Sequence, residues 1–131
     1  VQASYSISNI SKITGLSKDT LRYYEKIDLI RNVSRDSAGK RIYTKKNLEW
    51  IQFLIKVKAT GMSLSTLKQY GNLMSHKNVK NVLKRRQILA EHEINILQKQ
   101  RELEQALNLI HKKYKIYEQE LAELKETKKA T

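Results

Sequence analysis

The chain of 131 residues contains no cysteine, which excludes disulfide staples, thiolate metal sites and thiol-based sensing within it. Its three histidines are scattered and supply no ligand set. Carboxylate pairs, a histidine constellation and a glycine-rich phosphate loop are also missing, so neither an enzyme nor a cofactor is expected. No apolar run approaches the roughly 18 to 20 residues that span a bilayer. No small-residue cleavage site follows an apolar N-terminal segment, so the expectation is a cytoplasmic chain without a membrane partner. Large rings other than tyrosine are scarce: Trp50 and Phe53 are the one tryptophan and one phenylalanine, and both are assigned to a small core.

Acidic side chains are in short supply too. Lys and Arg number 26 against 13 Asp and Glu, a formal charge of +13 that favours association with a polyanion such as nucleic acid. An anionic membrane face would satisfy the same electrostatics, so charge alone does not choose. The length suits one compact domain, or a small domain plus one long extended element.

What is present begins with "YSISNISKITGLSKDTLRYYEKI", where Ile7, Ile10, Ile13, Leu16 and Leu21 recur every three to five residues around Gly15. This is the pattern of two short helices joined by a tight turn. Ser17 is placed to cap the second helix, and Asp19 in its first turn suits the positive helix end. A helix-turn-helix and a generic helical hairpin both fit that pattern. Within it, "LSKDTLRYYEKIDLI" gathers an arginine, two lysines and two adjacent tyrosines among few core formers, a surface suited to an acidic partner.

The helical period stops between Ile30 and Tyr43, where Asp36, Ser37 and Gly39 separate short stretches carrying Val33, Ile42 and Tyr43. A two-stranded hairpin and a flexible basic loop share this composition. Thr44 is placed to cap a third helix, with apolar residues at 48, 51, 54, 55 and 57 before Gly61. Ser63 is placed to cap a fourth, with Leu64, Leu67 and Tyr70 on one side.

From Val79 the pattern changes. Positions 79, 82, 86, 89, 93, 96, 100, 103, 107, 110, 114, 117, 121 and 124 step by three and four, and 11 of these 14 are Val, Leu, Ile or Tyr. A heptad repeat sustained to Leu124 marks a coiled coil, in a helix roughly 70 Å long. The expected dimer interface comprises Leu89, Ile96, Leu103, Leu107, Ile110, Tyr114, Tyr117, Leu121 and Leu124. The exceptions Arg86, Glu93 and Gln100 share one heptad position, beside a second stripe of Leu83, Ala90 and Leu97. The seam is therefore expected to be broader there or shifted toward that stripe, with the small helices of the head packing against it. Heptads alone fit a parallel and an antiparallel dimer equally. The expected organisation is a head over residues 1–76, a coiled coil over 79–124 and a basic flexible tail over 125–131.

In order along nearly the whole chain, "YSISNISKITGLSKDTLRYYEKIDLI", "GKRIY", "LEWIQFLIKVKATGMSLSTLKQY" and the terminal heptad helix resemble the MerR family of transcriptional regulators. The likeness is greatest to its short formaldehyde, aldehyde and nitrogen-stress branch, the NmlR/AdhR type. The resemblance implies a mainly α fold: a winged helix-turn-helix followed by a long antiparallel coiled-coil helix. It implies a nucleoid-associated homodimer that binds double-stranded DNA at a pseudo-palindromic operator inside an overlong promoter spacer. Bending and untwisting that spacer would act on RNA polymerase indirectly.

Carried over by position, Ser17, Lys18 and Thr20 begin the recognition helix, Arg22, Tyr23 and Tyr24 form the arginine and tyrosine pair, and Lys40, Arg41 and Tyr43 lie in the wing. Phosphate contacts are implied for Arg22, Tyr23, Arg41 and Tyr43. The chemistry is suited to this, since guanidinium groups and phenols hold phosphates without reading sequence. Lys18 is long enough to reach a guanine edge. Tyr24 is balanced between the interface and a role as core or wing support.

Four positions depart from the family pattern: Asp28 replaces a common glycine, Arg31 and Asn32 replace prolines, and Lys40 replaces an aromatic residue. Lys56 stands at the position of the branch's sensor cysteine, where an ammonium cannot form a sulfenic acid, disulfide or thiolate adduct. The competing reading is a coiled-coil scaffold whose basic head binds an acidic partner. Such a scaffold would have no reason to prefer promoter DNA over random DNA.

Overall fold

The computed structural model describes residues 4–130. Residues 1–3 of the expected head and Thr131 of the expected tail lie outside that range. The chain falls into two units divided between Leu89 and Ala90.

The first unit opens with a short strand, β1 (Ser4–Tyr5), then α1 (Ile7–Thr14) and α2 (Lys18–Lys26). Ser6 caps α1 in a reciprocal box with Asn9, and Gly15 ends it at φ 78, a left-handed conformation glycine adopts without steric cost. Ser17 caps α2 as expected, its hydroxyl accepting from the Thr20 amide at 3.0 Å. The turn between the helices is tied further by the Ser11 hydroxyl, which donates to the Leu16 carbonyl at 2.6 Å.

Strands β2 (Ser34–Arg35) and β3 (Arg41–Thr44) form the hairpin, not a flexible loop. Asp36 builds its turn by accepting from the amides of Ala38 and Lys40, both at 2.9 Å. The sheet has a third strand the periodicity did not reveal. β1 pairs antiparallel on the other side of β3, with Tyr5 opposite Tyr43, giving the order β1-β3-β2.

Helix α3 (Lys45–Ala59) begins at the expected Thr44 cap, and α4 (Leu64–Asn72) begins at the expected Ser63 cap. Ile10, Leu21, Tyr24, Leu29, Ile30, Tyr43, Leu48, Ile51, Leu54, Met62 and Leu67 form one core joining helices, wing and the segment between them. Trp50 and Phe53 pack against its edge, where Trp50, Phe53 and Tyr70 stack with ring centroids 5.5 to 6.0 Å apart. Their faces are thus used on one another.

Helix α5 runs from Val79 to Ala130. It continues through the stretch expected as a flexible tail, so residues 125–130 are helical. Its opening turns belong to the first unit, where Ile88 packs against the core and Leu83 stays exposed. The side of these turns meeting the core is therefore the Ile88 side, not the expected stripe containing Leu83. In the second unit, Ile96 is half-buried, while Leu103, Leu107, Ile110, Tyr114, Tyr117, Leu121 and Leu124 are all exposed.

Candidate nucleic-acid interface

The arrangement of α2 follows from its own sequence. Leu21 and Tyr24, three residues apart, turn inward and are buried, which leaves Lys18, Asp19, Arg22 and Tyr23 outward. Tyr23 is 53% exposed, a high value for a large ring, although its centroid lies 6.2 Å from that of Tyr24 in a tilted arrangement. Ser17 is exposed beside them at the helix start and Thr20 is half-buried. The Arg22 guanidinium, itself about half exposed, reaches Asp19 at 3.1 Å. An exposed pair of this kind contributes little to stability and leaves the arginine free to exchange partners.

The wing contributes Lys40 in the open, Arg35 in the open, and Arg41 half-buried. Arg41 donates through Nε to Glu25 Oε2, while Arg35 Nη2 stands 3.9 Å from Glu25 Oε1. Glu25 closes the arginine-tyrosine-tyrosine stretch of α2, so one carboxylate ties the recognition helix to both wing strands.

Two expected contact residues are not on the surface. Tyr43 is fully buried in the core, so its implied phosphate contact is corrected to a packing role. It sits on the middle strand of the sheet, where β1 and the helices cover it. Its hydroxyl is buried without a hydrogen-bond partner among the described residues. Burial pushes the Tyr43 phenol above the usual tyrosine range, Glu25 adds in the same direction, and Arg41, Arg22 and Arg35 oppose. Tyr24, balanced in the sequence, is resolved as support: it is 5% exposed. Lys58 donates to the Tyr24 hydroxyl at 3.0 Å, with its ammonium 5.6 Å from the ring centroid.

Several positioning residues gave no clear sequence signal. Asn47 Nδ2 donates to the Arg31 carbonyl at 3.1 Å, and Trp50 Nε1 donates to the Leu29 carbonyl at 2.8 Å. Together they fasten the strap between α2 and the wing onto α3. That strap turns at Asp28 (φ 61) and Asn32 (φ 59), residue types enriched in the left-handed region. The replacement of a common glycine by Asp28 is thereby accommodated.

Lys56 is exposed on α3. With cysteine absent from the sequence, no thiol stands there or elsewhere in this chain. No group of three or more His, Cys, Asp or Glu is placed to hold a metal among the described residues. No helix there is long and apolar enough to cross a membrane.

A basic helix presented beside a basic wing on one small core defines a winged helix-turn-helix DNA-binding module. The model for the MerR HTH family regulatory protein matches residues 5–72, and the chain belongs to that family of DNA-binding transcriptional regulators. It is 33% identical to the uncharacterised HTH-type transcriptional regulator YyaN of Bacillus subtilis, over 95% of this chain and 98% of that protein. AdhR of the same organism is 32% identical over 71% of this chain and 66% of its own length. Among solved structures, HiNmlR, a MerR family regulator lacking the sensor domain, bound to promoter DNA, superimposes with a TM-score of 0.80 at 30% identity. That match covers 89% of this chain and 92% of HiNmlR. A MerR family regulator from Listeria monocytogenes gives a TM-score of 0.85 at 28% identity, over 95% and 94% of the two chains.

Proposed function

We propose that the protein acts as a homodimer on an inverted-repeat operator within a promoter. In this reading α2 enters the major groove, Lys18 reads a base edge from its first turn, and Arg22, Tyr23, Lys40 and Arg41 hold the backbone. The observation that carries it is the sorting of α2, with Leu21 and Tyr24 inward and Lys18, Arg22 and Tyr23 outward. The likeness to a regulator solved on promoter DNA supports the same partner.

The second copy is called for by the exposed seam of α5, whose apolar side chains at 103, 107, 110, 114, 117, 121 and 124 all face solvent. The family likeness favours an antiparallel pair. Two recognition helices would then meet half-sites about 34 to 36 Å apart or a multiple of that, adjusted by any bend imposed. Bending and untwisting an overlong spacer would bring both promoter elements to RNA polymerase without direct contact.

Control is assigned to the protein's own concentration. Lys56 offers an exposed amine-bearing side chain at the position where thiol chemistry would be needed.

Affinity selection from random duplexes, followed by footprinting, tests this function. The expected product is an inverted repeat protected as two symmetric patches. A single asymmetric patch, or no sequence preference, rules the reading out and favours the basic-headed scaffold.

A further inference from the structure

Glu25 is an anomaly on a face meant for phosphates. A carboxylate there repels the DNA backbone and cancels part of the wing's positive charge. Yet two arginines from two different strands converge on it: Arg41 through Nε on Oε2, and Arg35 with Nη2 3.9 Å from Oε1. Arg35 also donates through Nη1 to the Gly39 carbonyl at 3.1 Å, which ties the wing's tip to the same cluster. The Glu25 and Arg41 side chains are only 23% and 21% exposed. A charge-assisted bond in that half-shielded setting holds geometry better than a fully exposed pair.

We propose that Glu25 is a positioning residue that sets the ratio of operator binding to non-specific DNA binding. It fixes the two wing arginines relative to α2 and withholds part of their charge from duplexes that do not fit. The inference rests on the operator-binding reading above.

Its consequence has opposite signs on two ligands. Without the carboxylate the wing cations are unmasked, so any duplex binds more tightly. Without the tether they are also misplaced, so the operator binds less tightly. A carboxylate that merely stabilised the fold would, when removed, weaken both.

The test measures fluorescence-anisotropy affinities of the full chain across a salt series. The probes are the duplex recovered by affinity selection and a shuffled duplex of the same composition. Glu25→Gln should raise shuffled-duplex affinity about threefold and lower operator affinity about tenfold, with the non-specific salt slope steeper by about 1 per phosphate newly neutralised. In an Arg41→Gln background the same change should lose most of its effect on the ratio. Glu25→Asp keeps the charge but is one methylene short. It should lower operator affinity while shuffled-duplex affinity stays at the wild-type value, and it decides the matter if circular dichroism shows Glu25→Gln unfolded. Equal weakening of both duplexes, or an unchanged ratio, overturns the proposal. A wild-type protein that does not distinguish the two duplexes overturns the operator reading itself.

Discussion

Up to Leu89 the chain hides most of its large apolar side chains in one core, whereas from Ala90 onward it leaves nearly all of them in solvent. The contrast comes from how each stretch is built. In the head, short capped helices, a three-stranded sheet and left-handed turns at Gly15, Asp28 and Asn32 fold the chain back on itself, so that residues far apart in sequence cover one another. In the second unit the described residues form one continuous helix, and a heptad stripe on a helix is suited to pairing with another helix. The head therefore carries its stability internally, and the terminal helix carries the demand for a second copy.

The largest effect that would break this comparison lies in the stripe. Changing Leu107 and Ile110 together to Asp should convert dimer to monomer in sedimentation equilibrium while leaving the head's circular-dichroism melt in place. Operator affinity should fall by about a hundredfold or more once the paired half-sites are bound singly.

Next is the head's core. Leu21 is fully buried, so Leu21→Ala should lower the head's stability by about 2 to 5 kcal/mol, read by chemical denaturation, with association through α5 retained. If instead both properties fail together, the two regions are not separable in this way.

A smaller effect is expected at the DNA face. Arg22→Ala should weaken binding to all duplexes alike, by roughly tenfold, and flatten the salt slope by about 1. Loss confined to the operator would mean that Arg22 reads bases.

The smallest concerns Tyr43. Its buried hydroxyl has no partner among the described residues, so Tyr43→Phe should leave stability unchanged or raise it by up to about 1 kcal/mol near neutral pH. Its pKa is raised on folding, so the folded state holds the proton that the unfolded state releases. The Tyr43 contribution is complete below the ordinary tyrosine value of about 10 and is lost as pH climbs beyond it. Tyr43→Phe should remove that part of the alkaline loss, and a wild-type alkaline profile in the variant would contradict the assignment.

Local chemistry was the legible part of this molecule. Ser17, Thr44 and Ser63 were readable as caps because a cap acts within three residues, and the heptads were readable because they repeat. β1 was not, since two residues, Ser4 and Tyr5, carry no period. Missing that strand hid the burial of Tyr43, which depends on its place in the middle of the sheet. Glu25 stands in the quoted motif, but its partner Arg41 is 16 residues away, and spacing does not announce such a tether. Lys58 and Tyr24, 34 residues apart, were hidden for the same reason. In α5 the periodicity gave the exposed stripe but not the packed one, because Ile88 lies off the seam and meets the core.

The account depends most on a second copy covering α5, and the absence of cysteine allows a direct measurement. Single cysteines placed at exposed off-seam positions along α5, such as Asn108, Lys115 and Glu123, can carry spin labels with no background labelling. In an antiparallel pair the distance between equivalent labels should change by about 3 Å per residue along the helix away from the crossing point, twice the helical rise. A short, constant distance at every position would mean a parallel pair, and the absence of any inter-label distance would contradict the dimer.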